Sequence, residues 1–200
     1  MRVCDCVACR DFPCTDVLHQ NYSVPGLEIN LQDISIILIS EAAPANPQDG
    51  YYAPGSPLFA QTTIQAFNDA GAQVGSMQDI LNLGVYLTTA VKCAQTAYAI
   101  QTDTVRQCAR ILGEDLALFP NVRAYLLMGD VAIRALNTIA QRAGEKRVIP
   151  AGSTYKIRGE SYFFRGRRAF PSYLQAGPSF FIEKSKRKMI AEDIGAALRI

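Results

Sequence analysis

Apolar residues in this chain switch between two spacings, and the switching predicts alternating strands and helices. Residues 34–39 form a short β-branched run, the pattern of a strand buried on both faces. Residues 84–91 predict a second strand and residues 122–128 a third. Between the first two, residues 57–71 set Leu58, Phe59, Thr62, Ile64, Phe67 and Ala70 at helical spacing. Residues 103–118 put Val105, Cys108, Ala109, Leu112 and Leu116 on one helical face, with Pro120 as the stop. A further helix follows Gly129-Asp130 and runs through Ala140, with Asp130 placed to accept the free amides of its first turn. Residues 146–151 and 162–169 read as short strands, and a last helix covers 184–198. Residues 1–30 keep no period and read as an irregular arm.

Strands alternating with helices predict an α/β domain over residues 1–200, its parallel or mostly parallel sheet covered on both faces. Ligands of such sheets sit beyond the C-terminal ends of the strands. Three unusual segments fall there: 41–52, 88–93 and 170–173. No Gly-x-Gly-x-x-Gly or Walker pattern accompanies Gly129-Asp130, so a dinucleotide or ATP site is not predicted.

Charge changes the picture only by its placement. The net charge is +2, yet Arg158, Arg165, Arg167, Arg168, Lys184, Lys186, Arg187 and Lys188 crowd the last quarter. That crowding predicts one positive face with a nucleic-acid partner, against the plainer reading of a solvated surface. No run reaches membrane-spanning length, and no secretory leader pattern is present, so a cytoplasmic, monomeric protein without a membrane partner is expected.

Of the six cysteines, Cys4, Cys6, Cys9 and Cys14 cluster in the arm, while Cys93 ends the second strand and Cys108 lies on the next helix. Two near thiols and two distant ones predict a tetrahedral four-sulfur site, for which iron-sulfur or zinc are the usual occupants. Such a site would clip the arm to the sheet. Buried free thiols at Cys93 and Cys108 are the bland alternative.

Five segments together resemble the uracil-DNA glycosylase superfamily, nearest its iron-sulfur family 4 and related branches. They are Ile39-Ser40-Glu41-Ala42-Ala43-Pro44, Tyr86-Leu87-Thr88-Thr89-Ala90-Val91-Lys92-Cys93, Leu126-Leu127-Met128-Gly129-Asp130, Tyr155-Lys156-Ile157-Arg158-Gly159 and Pro171-Ser172-Tyr173-Leu174. The resemblance implies a three-layer α/β/α sandwich around a four-stranded, mostly parallel sheet. It also implies a structural [4Fe-4S] cluster, with Cys93 and Cys108 as the distal ligands. The proximal pair is Cys6 with Cys9 or Cys9 with Cys14, and Cys4 is spare.

The activity implied is hydrolysis of the N-glycosidic bond of a damaged or deaminated base in DNA. Glu41 then stands at the family's acidic position and would orient water near the sugar; capping or bracing of the next loop is its structural alternative. Asp49 is a second carboxylate in that loop. Ala42 and Ala43 would lend backbone to the base pocket, and Tyr51 or Tyr52 would stack on the base. Thr89 replaces the family's base-reading asparagine, offering one hydroxyl for a two-headed amide. Phe170 replaces its histidine and can stack but not donate a hydrogen bond. His19, the chain's single histidine, lies in the arm. Ser172 and Tyr173 would steady the DNA backbone, residues 174–177 would wedge into the duplex, and Arg158, Arg165, Arg167 and Arg168 would hold phosphates. A DNA-binding protein that has lost the reaction is the alternative reading.

Overall fold

The computed structural model describes residues 1–96 and 99–200. In chain order the strands are β1 (Val17–Leu18), β2 (Ile36–Ala43), β3 (Val85–Gln95), β4 (Ala124–Met128), β5 (Tyr162–Phe164) and β6 (Arg167–Ser172). The helices are α1 (Leu58–Asp69), α2 (Met77–Asn82), α3 (Thr102–Ala117), α4 (Asp130–Arg142), α5 (Thr154–Ile157), α6 (Ser179–Ile182) and α7 (Lys184–Leu198). Among the described residues no helix is long and apolar enough to cross a membrane.

The sheet order is β1-β3-β2-β4-β6-β5, six strands where four were expected. The inner four, β3-β2-β4-β6, are parallel, and β1 and β5 close the two edges antiparallel. The expected 162–169 strand is in fact a hairpin. Arg165 (φ 50°) and Gly166 (φ 77°) form its two-residue turn, the conformation that matches the twist of flanking strands. Residues 146–151 form no strand, because the Asn137 side chain takes the Val148 and Ile149 amides and donates to the Ile149 carbonyl.

Helices cover both sheet faces. Val105, Leu112 and Leu136 of α3 and α4 pack with Ile37, Ile39 and Tyr86 on one side. Phe67, Ile80, Ile190 and Ile194 of α1, α2 and α7 pack with Leu38, Leu87 and Leu126 on the other. The uninterrupted apolar run of β2 follows from its central place, buried on both faces.

β3 is held by a feature its apolar pattern hides. Its pairing with β2 jumps from Ala42↔Val91 to Ala43↔Ala94, so Lys92 and Cys93 bulge out of register. Lys92 is 1% exposed and points at Asp115 of α3, which is 0% exposed. Lys92 Nζ lies 2.5 Å from Asp115 Oδ2 and 2.6 Å from Thr88 Oγ1. Thr88 Oγ1 donates to the same carboxylate at 2.7 Å, and the Tyr86 hydroxyl donates to its other oxygen at 3.1 Å.

The arm is seated without loose ends. β1 pairs with Ala94 and Gln95, and the Ser23 amide donates to the bulged Lys92 carbonyl at 2.7 Å. Asp16 accepts the Gln101 amide at 2.7 Å and the Thr104 hydroxyl, so the arm caps α3. Val3 and Val7 are buried beneath it.

Removing the carboxylate should expose how much this network carries. Asp115→Ala leaves Lys92 charged and unpaired in the interior, and an expected loss of about 3–5 kcal/mol follows. Urea unfolding measures it; an unchanged midpoint would show that α3 is held by apolar packing alone.

Candidate functional site

The C-terminal ends of the parallel strands bring residues from all three expected segments to the walls of cavities, the third through Tyr173 alone. A cavity of about 230 Å³ is lined by Ala43, Pro44, Tyr51, Tyr52, Thr88 and Thr89, with residues 23–26 of the arm as a further wall. Tyr52 is fixed there by β3: its hydroxyl accepts from the Leu87 amide at 3.0 Å and donates to the Leu87 carbonyl at 3.3 Å. Tyr51 is buried, and its hydroxyl accepts from the Gln175 amide at 2.9 Å. Burial pushes both phenols far above their ordinary range, so they serve as neutral hydrogen-bonding groups.

Glu41 belongs to β2, which runs on through Ala43 instead of ending before it. Its Oε1 accepts the Val131 amide at 3.3 Å, at the start of α4. Glu41 therefore does the capping expected of Asp130, which is itself the first helical residue and pairs with Arg134 at 2.8 Å. Gly129 makes this approach possible: it sits at φ 100°, and a Cβ there would lie 2.4 Å from Glu41 Oε1. Burial pushes the Glu41 carboxyl above the usual carboxylate range, with Asp130 adding to the rise and the Val131 amide and Arg134 opposing it.

Two further cavities meet at Glu41. One of about 400 Å³ is lined by residues 40–46, Asp49, Phe59 and Leu174. The other, about 360 Å³, is lined by Glu41, Gly129, Asp130, Thr154, Tyr173 and Lys186, among others. Ala43 and Pro44 border both the 230 Å³ cavity and the 400 Å³ one, so the small chamber and the carboxylate adjoin. Ala42 is half-buried beside them.

Other expected residues lie elsewhere. Phe170 is buried in the core, with the Arg168 guanidinium 4.6 Å above its ring, and lines none of these cavities. Ser172 is 0% exposed and donates to Asp193 Oδ2 at 2.5 Å. Arg158 grips the same Asp193 through two nitrogens and also pairs with Glu192. Arg165 pairs with Glu145 at 2.7 Å, Arg167 donates to the Val122 carbonyl, and Arg168 donates to the Glu160 and Tyr162 carbonyls. All four guanidiniums thus have protein partners, and Arg165 alone of them is exposed. Gln175 and Ala176 of the expected wedge are buried, and the exposed apolar pair nearby is Phe181 and Ile182. His19 stacks against Phe12 in the arm.

The expected [4Fe-4S] centre is corrected. Among the described residues no group of three or more His, Cys, Asp or Glu side chains is arranged to hold a metal ion. All six cysteines are free thiols. Cys93 and Cys108 are buried, and burial pushes them to about 11 and about 12. Burial likewise raises Cys14, with Cys9 nearby adding to it. Cys6 is exposed and lies against the Met1 sulfur at 3.6 Å. The arm's attachment rests on β1, the Asp16 cap and buried valines, which makes a metal clip unnecessary to its docking.

Lys92, Asp115 and Asp193 were missed as structural anchors. The signal was present: Asp115 falls on the Val105–Cys108–Leu112 stripe of α3, and Asp193 on the Ile190–Ile194 stripe of α7. A carboxylate on an apolar stripe demands a buried partner.

No family model matches the chain. It is 32% identical over 124 residues to a type-5 uracil-DNA glycosylase of Thermus thermophilus, a stretch covering 61% of this chain and 53% of that relative. The chain thus matches about half the length of that protein. The similarity points to distant kinship with the uracil-DNA glycosylase superfamily and selects no branch, family 4 included.

Adding a methyl at Gly129 should test the Glu41 seat. Gly129→Ala meets both a disfavoured φ and the carboxylate, so a loss of more than about 1 kcal/mol is expected. The Glu41 carboxyl, displaced toward water, should titrate nearer its ordinary value by NMR. An unshifted titration would show that the close approach does not set it.

Proposed function

We propose that this chain is a DNA glycosylase-like protein that hydrolyses the N-glycosidic bond of a damaged or deaminated base. The observation that carries the reading is the 230 Å³ chamber at the strand ends, next to a cavity lined by the half-buried Glu41 carboxylate. Its volume lies below the roughly 300–1,000 Å³ of drug-sized pockets and suits one planar heterocycle. Similarity to a type-5 uracil-DNA glycosylase supports the same reaction class.

In this reading an extruded base enters the chamber against Tyr52, with Thr89 and the Ala43 backbone at its edge. As the glycosidic bond breaks, the sugar gains cationic character and the base leaves as an anion. Glu41, ionised, orients a water toward the sugar carbon and takes its proton. Tyr173 and Lys186, on the far side of Glu41, line the path of the strand. A cytoplasmic monomer acting on DNA is the setting that fits this reading.

A second reading has its own support. Glu41 already caps α4, and Ser172 and four arginines are consumed by internal bonds. A protein that binds DNA without cleaving it would keep all of these. Duplex and single-stranded oligonucleotides carrying uracil, hypoxanthine, xanthine or a thymine mismatch separate the two readings. Alkali-labile sites from the wild type support the enzyme; tight binding with no base released supports the second reading.

Glu41→Gln should lower base release by about 10²–10⁴-fold and erase the acidic limb of the rate profile, which lies above the ordinary Glu pKa because Glu41 must ionise to act. Stability should move the opposite way. With a raised folded pKa, protonated Glu41 favours the fold below its unfolded value, and this contribution fades as pH rises through the folded value. Neutral Gln avoids that loss, so the variant should melt at a higher temperature at neutral pH. Near about pH 4 the difference should vanish. A variant that keeps its activity would remove Glu41 from the chemistry.

A further inference from the structure

A second opening, wider than the base chamber, lies beside it. A groove of about 710 Å³ runs between α1, α2 and the exposed Phe181 of α6. It shares Tyr51, Tyr52 and Ala53 with the 230 Å³ chamber, so the two are separated only by those rings and their backbone. No Asp, Glu, Lys or Arg side chain lines it. Its polar lining is amide and hydroxyl, chiefly Gln61, Gln65 and Gln78.

Each of those amides is tethered at its nitrogen. Gln61 donates to the Ser56 carbonyl, Gln65 to Asp69 at 2.9 Å, and Gln78 to Asn82 at 3.0 Å. Among the described residues their oxygens make no further bond, so each keeps one acceptor and one N–H for a ligand. Phe181 stands at the edge, 47% exposed, its ring 5.5 Å from the buried Phe180. Just beyond it the exposed Lys184 and Lys188 begin α7.

We propose that this groove seats a nucleobase flanking the extruded one, and that the preferred partner is single-stranded DNA. The inference rests on the glycosylase-like reading and deepens it. Phe181 supplies a stacking face, and the tethered glutamines meet the edge of the neighbouring base. Lysines at the head of α7 meet phosphate. Amide side chains pair in two-headed fashion with base edges, adenine above all. An aromatic platform with nearby cations is how single strands are held. A duplex fits poorly, because Arg158, Arg167 and Arg168 are engaged by protein acceptors, Arg165 alone of the four is exposed, and the net charge is only +2. A base paired and stacked in a duplex could not enter the groove.

Fluorescence anisotropy with oligodeoxyadenylate, oligodeoxythymidylate and a mixed-sequence duplex tests binding independently of catalysis. The wild type should bind single strands at least tenfold tighter than the duplex. Phe181→Ala, at an exposed site, should keep its melting temperature and lose about tenfold in single-strand affinity. Gln61→Ala with Gln78→Ala should flatten the difference between the two homopolymers. A parallel assay varies the neighbours of a uracil or hypoxanthine in single strands and scores base release. Release without any effect of Phe181→Ala would overturn the groove and leave the glycosylase reading intact. Binding lost in Phe181→Ala, in a wild type that releases no base, would keep the groove and overturn the enzyme. Equal or tighter duplex binding, or a dimer that Phe181→Ala dissolves, would overturn the groove as a strand site.

Discussion

The ion pair between Lys92 and Asp115 is the constraint on which the working end of this molecule depends. A charged side chain inside a strand can be tolerated only if the opposing helix brings its counter-charge to it, and α3 does so. That demand sets the position of α3 along β3. The bulge that turns Lys92 inward leaves its carbonyl facing the arm, where Ser23 donates to it. Residues 23–26 then become a wall of the small chamber. Alternation does the rest. Thr88 points with Lys92 toward Asp115, so Thr89 points to the opposite face, beside Leu87 and Tyr52. One buried carboxylate thus sets a helix, an arm and the orientation of a pocket residue.

Much of this architecture was legible in the residues. The apolar runs at 34–39 and 122–128 each began two residues before the strand they announced, β2 and β4, and the spacing at 184–198 matched α7 end to end. What periodicity could not supply was the behaviour of short elements. Two residues suffice for β1 once Gln95 and Ala94 offer a free edge, and nothing in Val17-Leu18 announces that pairing. The hairpin was read as one strand because Arg165 occupies a position where Gly or Asn is the usual signal. Its left-handed backbone is held by a Glu145 pair and by stacking of its guanidinium 4.8 Å over Phe164. Those partners are distant in sequence and carry no local mark.

The site was legible in its location and less so in its roles. Strand-end logic led to Tyr52 and Thr89, which line one cavity, and to Glu41, which lines its neighbour. It also led to the arginines of the last quarter, whose internal partners counting charges could not show. A guanidinium has five donors, and a fold with uncapped carbonyls near a sheet edge will recruit it inward. Arg167 and Arg168 do this at Val122, Glu160 and Tyr162. The cysteine spacing misled in a related way. Thiols from the arm do approach Cys93 and Cys108, but the approach follows from arm docking by strand pairing and by Asp16. Proximity of sulfurs was read correctly, and its cause was not.

Glu41 shows why a structural role and a chemical one need not compete. A carboxylate at the first turn of a helix is stabilised by amides and dipole, which would hold it ionised. Burial beside Gly129 works against this and wins, raising its proton affinity. The result is a carboxyl that changes charge nearer to neutrality than an exposed one, fixed in direction by the Val131 amide at one oxygen. The carboxyl also lines the two cavities that meet there. A group needed only to cap α4 would gain nothing from such burial, since a Ser or Asn caps at no ionisation cost. An acid in this position, with a glycine opposite to make room for it, is the feature on which the proposed hydrolysis rests.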